Sequence, residues 1–326
     1  MTKRAIVVAI PTYRRPDRLS TTLPLVLDHI DRVAGDPTLD VDVSLVVIDN
    51  DPAGSARHTV RDAGRGVRYQ REPRPGIAAA RNRALDAAAG ADAVVFIDDD
   101  ERPEPEWLAS LVRTWLASGA TGVMGRVVSE FTIEPEPWVA AGDFFQRRSM
   151  PTGTDIRIAA TGNILLDAAQ LRRLRVRFDD RLGTGGGEDT LLSMDIRRAG
   201  GRLVWCEESV AIDEVPPERL RRTWLRLRFY YHGNTAVVVE LLHARSPVQR
   251  ARVRLVSAAG GLARIAVGSA RGVVGWAIGS LTMRARAMPT RQRGAGMLAA
   301  SLGIVRREYE RADTRSGASS PAPGTH

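Results

Sequence analysis

Three short apolar runs, at residues 5–10 (AIVVAI), 43–48 (VSLVVI) and 93–97 (AVVFI), each stop abruptly at a polar cluster. A run so short and so apolar offers no polar face to water, so each reads as a strand covered on both sides. Helical stretches lie between them, at 18–30, at about 55–63 and at 77–89, the last rich in alanine. Strands alternating with helices predict parallel strands joined by crossovers, an open α/β sheet. In such sheets the ligand sits beyond the carboxyl ends of the strands.

The residues that follow each run are therefore the ones expected to carry chemistry. The first run leads into Pro11-Thr12-Tyr13-Arg14-Arg15, the second into Asp49-Asn50-Asp51, and the third into Asp98-Asp99-Asp100-Glu101. Consecutive carboxylates repel and raise one another's pKa unless they share a cation. Hard oxygen donors on a loop suit Mg²⁺ or Mn²⁺ bound together with a diphosphate. Residues 98–100 thus read as a metal and diphosphate platform. The plainer reading is a solvated turn before a helix at 104–118, which does not explain why an apolar strand delivers the triplet to the sheet edge.

Beyond residue 120 the pattern is mixed. A strand is predicted at 122–128, a loop around Pro135, Pro137 and Trp138, a strand at 162–166, and a helix that Asp167 caps and that ends near Leu174. The glycine-rich stretch 183–187 precedes Glu188-Asp189, which opens a helix to about Ala199; a further strand is predicted at 202–206. Carboxylates at a helix start are often only dipole partners. The glycines allow close backbone approach to a ligand, and a carboxylate there can accept the proton of an attacking hydroxyl.

Charge divides the chain. The 326 residues are 44% hydrophobic and 26% charged, which excludes a disordered chain, a fibrous repeat and a polytopic membrane protein. The net +9 is uneven: residues 1–214 carry 28 basic and 33 acidic side chains, whereas residues 215–326 carry 19 basic and 5 acidic. An acidic body is thus joined to a basic end directed at an anionic partner. The single cysteine, Cys206, excludes an intrachain disulfide and a cysteine metal site, and the cytoplasm is the expected compartment. The apolar run before Pro11 is too short for a signal peptide.

The basic end reads as mainly helical from Pro217, with a disordered tail at 313–326. Its longest uncharged piece, 272–283, is shorter than the ~20 residues a spanning helix needs. With Arg250, Arg252, Arg254, Arg284, Arg286, Arg291 and Arg293 around it, the segment is expected at an anionic membrane surface. The competing reading is a helical hairpin packed on the body through Gly and Ala.

The succession PTYRRP, VVIDND, PGIAAARNRAL, FIDDDERPEPEWL, TGNILL, GGGEDTLLSMDIRRAG and YYHGN resembles family-two glycosyltransferases, inverting enzymes of the GT-A fold. The resemblance runs from about residue 4 to about residue 234. It implies a GT-A type open, mostly parallel sheet flanked by helices, with a helical C-terminal extension. The implied layout is a catalytic domain at 1–215, a basic extension at 216–312 and the tail at 313–326.

It further implies that Pro11, Thr12, Tyr13 and Arg14 form a nucleotide-binding turn and that Asp49 accepts from the base of a nucleotide-sugar donor. Asn50 replaces a second Asp, and Arg81 lies near the diphosphate. Asp98, Asp99 and Asp100 align with the DXD element, Asp100 as direct metal ligand and Asp98 as a contact to ribose or metal. Asp189 matches the general base, Glu188 is the reserve candidate, and Gly162-Asn163 falls at the acceptor pocket. His232 is a candidate further ligand for Mn²⁺ or Mg²⁺. Many relatives carry a histidine where this chain has Asp213-Glu214. The membrane-surface end, outside the resemblance, points to a cell-envelope glycan or a lipid-linked sugar as acceptor, used on the inner face of the membrane.

Two other classes fit less well. A nucleotidyltransferase usually needs a glycine-bearing loop after the first strand, and IPTYRRP has no glycine. An arginine-rich RNA-binding module is disfavoured by an aromatic content of 5% without a stacking platform, so no nucleic-acid partner is expected.

Overall fold

Each apolar run is a strand, the first two somewhat longer than the run itself and the third coincident with it. The computed structural model describes residues 3–64, 66–182 and 185–306; the tail predicted at 313–326 lies outside them. β1 (Arg4–Thr12) pairs in parallel with β2 (Val41–Asp49), β2 with β3 (Arg68–Arg71), and β1 with β4 (Ala93–Ile97). The chain continues through β5 (Glu101–Pro103), β6 (Gly122–Phe131), β7 (Asn163–Asp167) and β8 (Leu203–Val215). The eight-stranded sheet has the order β3-β2-β1-β4-β7-β6-β8-β5. β7 runs antiparallel to β4 and β6, and β5 antiparallel to β8, so the sheet is mixed.

The continuous apolar character follows from two-sided cover. Ile6, Val8 and Ile10 face one core with Leu19, Leu23 and Trp107, while Val7 and Ala9 face another with Ala80, Ala84 and Phe178. The helices supplying these layers are α1 (Pro16–Gly35), α2 (Arg57–Ala63), α3 (Ile77–Ala87) and α4 (Trp107–Ser118). Fully burying such a Val, Ile or Leu contributes roughly 1.5–3 kcal/mol. After α5 (Pro137–Gly142), Asp167 caps α6 (Ala168–Leu174) by accepting from the Gln170 N–H, and α7 (Glu188–Arg198) opens on the acidic pair.

Three helices complete the described chain: α8 (Arg222–His243), α9 (Pro247–Ala277) and α10 (Leu281–Ser301). Leu225 and Phe229 of α8 and Met288 of α10 join Trp138, Phe145 and Val215 in one apolar cluster, which ties the basic helices to the sheet. α9 packs on α10 through Gly261, Gly268 and Gly275, spaced two helical turns apart. The fit leaves no room for a side chain: a Cβ on Gly261 would lie 2.8 Å from the Gly294 carbonyl oxygen.

Candidate active site

The parallel register sets Thr12 opposite Asp49, so the ends of β1 and β2 share one edge with the end of β4. The three aspartates lie in the turn between β4 and β5 and differ in burial. Asp99 turns inward, 4% exposed, accepting from the Thr12 hydroxyl at 2.6 Å and from Arg15 at 3.3 Å. Burial pushes its carboxyl up to about 6 despite the Thr12 hydrogen bond. Asp98 and Asp100 are more open, their side chains 38% and 19% exposed. Asp99 thus braces the turn through Thr12 and Arg15.

Two further carboxylates complete this edge. Glu101 opens β5 and lies in register with Asp213 of β8. Burial, reinforced by Asp98, Asp213 and Asp100, holds the Glu101 carboxyl well above the usual range. Guanidinium groups intervene. Arg15 reaches Asp100 at 2.9 Å, Arg147 reaches Asp213 at 2.5 Å, and Arg219 spans Asp213 at 3.3 Å and Asp100 at 3.6 Å. The sequence shows Glu101 directly after the aspartate triplet and Asp213 where relatives carry a histidine, but not that the two meet.

α3 supplies Arg81, 6% exposed, which donates to Glu188 and lies 3.6 Å from Asp98. This guanidinium joins the start of α7 to the aspartate edge. Burial raises the Glu188 carboxyl to about 7, against the pull of Arg81. Asp189, the next residue, is half-buried; its Oδ1 accepts from the Thr190 N–H at 2.6 Å. Gly187 before them has φ +88°, and a Cβ there would lie 2.3 Å from Thr235 Cγ2 of α8. α8 thus clamps the loop that presents the acidic pair.

Other expected contacts come out differently. Asp49 is fully buried and accepts from the N–H groups of Asp51 and Ala56 and from the Tyr69 hydroxyl, so it organises its own turn. Asn50 is buried and donates to the carbonyls of Glu72 and Arg74. Asn163 is fully buried; its Oδ1 accepts from Trp107 Nε1 at 2.9 Å, and its Nδ2 donates to the carbonyls of Arg126 and Ser209. Asn163 thus ties β7 to α4, β6 and β8.

Gly162 does lie on the inner side of that wall, where a Cβ would be 2.6 Å from Glu101 Oε1 and 3.2 Å from Asp98 Oδ2. Pro11 is buried in β1, whereas Tyr13 is half-buried and Arg14, at φ 53°, lies over its ring at 5.2 Å. His232 stands apart on α8, its ring edge-on to Phe229. Desolvation and the cations Arg228, Arg293 and Arg147 push it down to about 4, and no carboxylate joins them.

The donor chemistry of Asp98 and Asp100, oxygen only, fits a hard divalent cation. Among the described residues no three His, Cys, Asp or Glu side chains already converge on one point. An ion there would draw the rest of its shell from diphosphate oxygens and water.

The model of glycosyl transferase family 2 matches residues 7–178, which carry both the Thr12 turn and the aspartate edge. The chain belongs to glycosyl transferase family 2. It is also 33% identical over 236 residues to the succinoglycan biosynthesis protein ExoM of Rhizobium meliloti (strain 1021), covering 71% of this chain and 73% of that protein. This family 2 chain is accordingly a glycosyltransferase.

Solved structures agree on the fold. The S. aureus TarS 1–349 structure in complex with UDP-GlcNAc superposes with a TM-score of 0.51 over 92% of both chains, at 15% identity. GalNAc-T7 with UDP, GalNAc and Mn²⁺ matches at a TM-score of 0.50 and 15% identity over 72% of this chain. The family 2 chain spans about half of that longer enzyme, 51%. The GT-A expectation holds.

Proposed function

We propose that this glycosyltransferase moves a sugar from a nucleoside-diphosphate donor to an acceptor hydroxyl with inversion, using Mg²⁺ or Mn²⁺ held by Asp100 and Asp98. The observation that carries the reading is Arg81, which touches Asp98 on one side and Glu188 on the other. It sets the start of α7 one guanidinium away from the aspartate edge.

In this reading Tyr13 and Arg14 receive the nucleotide, and Arg81 with Arg15 faces the diphosphate. When bound, the divalent ion neutralises the charge that develops on the leaving diphosphate. Asp189 accepts the proton of the acceptor hydroxyl as its oxygen attacks the anomeric carbon from the face opposite the leaving group. A single displacement of that kind inverts the centre. Glu188 is unsuited to the proton transfer, because it is buried and committed to Arg81; it positions Arg81 and the helix start. Gly162 leaves space beside Asp98 and Glu101 on the acceptor side.

The likeness to ExoM and the basic C-terminal helices support a cell-envelope glycan or lipid-linked acceptor and a peripheral site of action on the cytoplasmic face of the cell membrane. Screening nucleotide sugars by thermal shift with and without Mn²⁺, followed by NMR assignment of the anomeric configuration of the product, tests the reading. A donor that stabilises the protein only with metal and yields the inverted linkage is expected. Metal-independent transfer or retention would overturn it.

A further inference from the structure

Although α9 is 31 residues long, its buried positions are confined to Ser257, Gly261, Gly268 and Gly275, all on the seam against α10. Opposite that seam the helix is apolar and open to solvent: Leu255 is 73% exposed, Leu262 55% and Val273 69%. At helical spacing these three fall on one stripe, with Val256, Val267 and Val274 on the neighbouring one. The uncharged piece 272–283 forms the turn between α9 and α10, and it leaves Trp276 75% and Ile278 65% exposed. A continuous apolar surface thus runs along the outer side of the hairpin and over its tip.

The charges around this surface have one sign. On α9, Arg264 lies beside α10, its Cβ 2.8 Å from where a Gly294 side chain would begin, with Arg271 two turns on, and Arg284 and Arg286 follow the tip on α10. Neither helix contains an Asp or a Glu. We propose that the outer face of α9 and the α9–α10 tip form a membrane-docking surface that lies flat in the headgroup region of an anionic bilayer. The inference rests on the peripheral location proposed for the enzyme and supplies its geometry.

Charge complementarity selects this occupant. Arginines bordering an apolar face match anionic headgroups over acyl chains. Pairing α9 with a second copy would bring arginine borders together with no carboxylate to meet them. Crossing the bilayer would take Arg264 and Arg271 into the hydrocarbon along with the helix, and would pull α10 with its own arginines through the glycine seam. The glycines hold α9 close enough to α10 for the pair to present one face.

The test uses the full chain with vesicles of phosphatidylcholine alone or mixed with phosphatidylglycerol. Co-sedimentation with the mixed vesicles only is expected, accompanied by a blue shift in the emission of Trp276. The double variant V273S/I278S, at exposed positions, should lower the bound fraction roughly tenfold, with unchanged thermal stability and unchanged metal-dependent donor binding. Four results would overturn the proposal: no binding to mixed vesicles, equal binding to both kinds, wild-type binding by the variant, or a dimer in sedimentation that the variant disperses without any vesicle binding. Failure here with intact sugar transfer would refute the docking surface alone, and loss of metal-dependent donor binding in the wild type would instead refute the catalytic reading.

Discussion

Arg81 and Glu188 form a buried ion pair, their side chains 7% and 8% exposed, that joins α3 to the first turn of α7. Removing one partner of such a pair leaves an uncompensated charge and typically costs 3–5 kcal/mol. Arg81→Leu should therefore destabilise the protein by about that amount in denaturant melts. It should also weaken donor binding, since Asp98 loses its cation as well. A variant as stable as the wild type would show that the pair does not secure the helix start.

The same pair makes stability depend on pH in a defined direction. Because burial raises the Glu188 carboxyl to about 7, the folded state favours the protonated form. The stability associated with that form is complete below the ordinary carboxylate range near 4.5 and is lost as pH rises through about 7. Glu188→Gln, which cannot ionise, should gain stability relative to the wild type as pH rises across this window. Melting temperatures of both proteins measured from pH 4.5 to 8 provide the check, and a parallel course would contradict the burial account.

Gly187 offers a mechanical test of the loop. Its φ of +88° and the 2.3 Å approach to Thr235 Cγ2 leave an alanine strained and crowded. Gly187→Ala should cost about 1–3 kcal/mol and should displace Asp189, so that kcat falls more than the donor KM changes. Thr235→Ala in the same chain should recover part of the loss by giving back space. No recovery would mean that backbone strain alone accounts for the defect.

Much of this was legible in the sequence, and the remainder failed for identifiable reasons. The apolar runs became β1, β2 and β4, and Asp167 caps α6 because a local side-chain hydrogen bond needs no distant partner. β5 and the far half of β8 were invisible, since Glu101 and Asp213 meet only through a pairing between distant segments. A register shift between Gly125 and Arg126 also breaks the even alternation across β6 and β8. Polar residues at strand ends were easy to find, but their direction was not. Asp49, Asn163 and Asp99 are buried, whereas Asp98 and Asp100 are partly exposed. The aspartates lie in the turn between β4 and β5, where no strand period indicates which side chain is covered.

Asp100 separates binding from chemistry. Its carboxylate faces the cleft between Arg15 and Arg219. Asp100→Ala should weaken donor affinity in Mn²⁺ by roughly tenfold or more, with little change in its absence. Calorimetric titration of the donor with and without metal reads this difference directly. Equal affinities under both conditions would remove Asp100 from the metal site.

In the proposed reaction Asp189 takes the acceptor proton while the aspartate edge holds the donor. Comparing Asp189→Asn with the wild type, by initial rate of transfer and by Mn²⁺-dependent donor affinity in parallel, tests it most directly. Loss of about 10²–10⁴-fold in rate, with donor affinity unchanged within about twofold, is the expected result. Turnover close to that of the wild type, or a donor affinity that falls together with the rate, would contradict it.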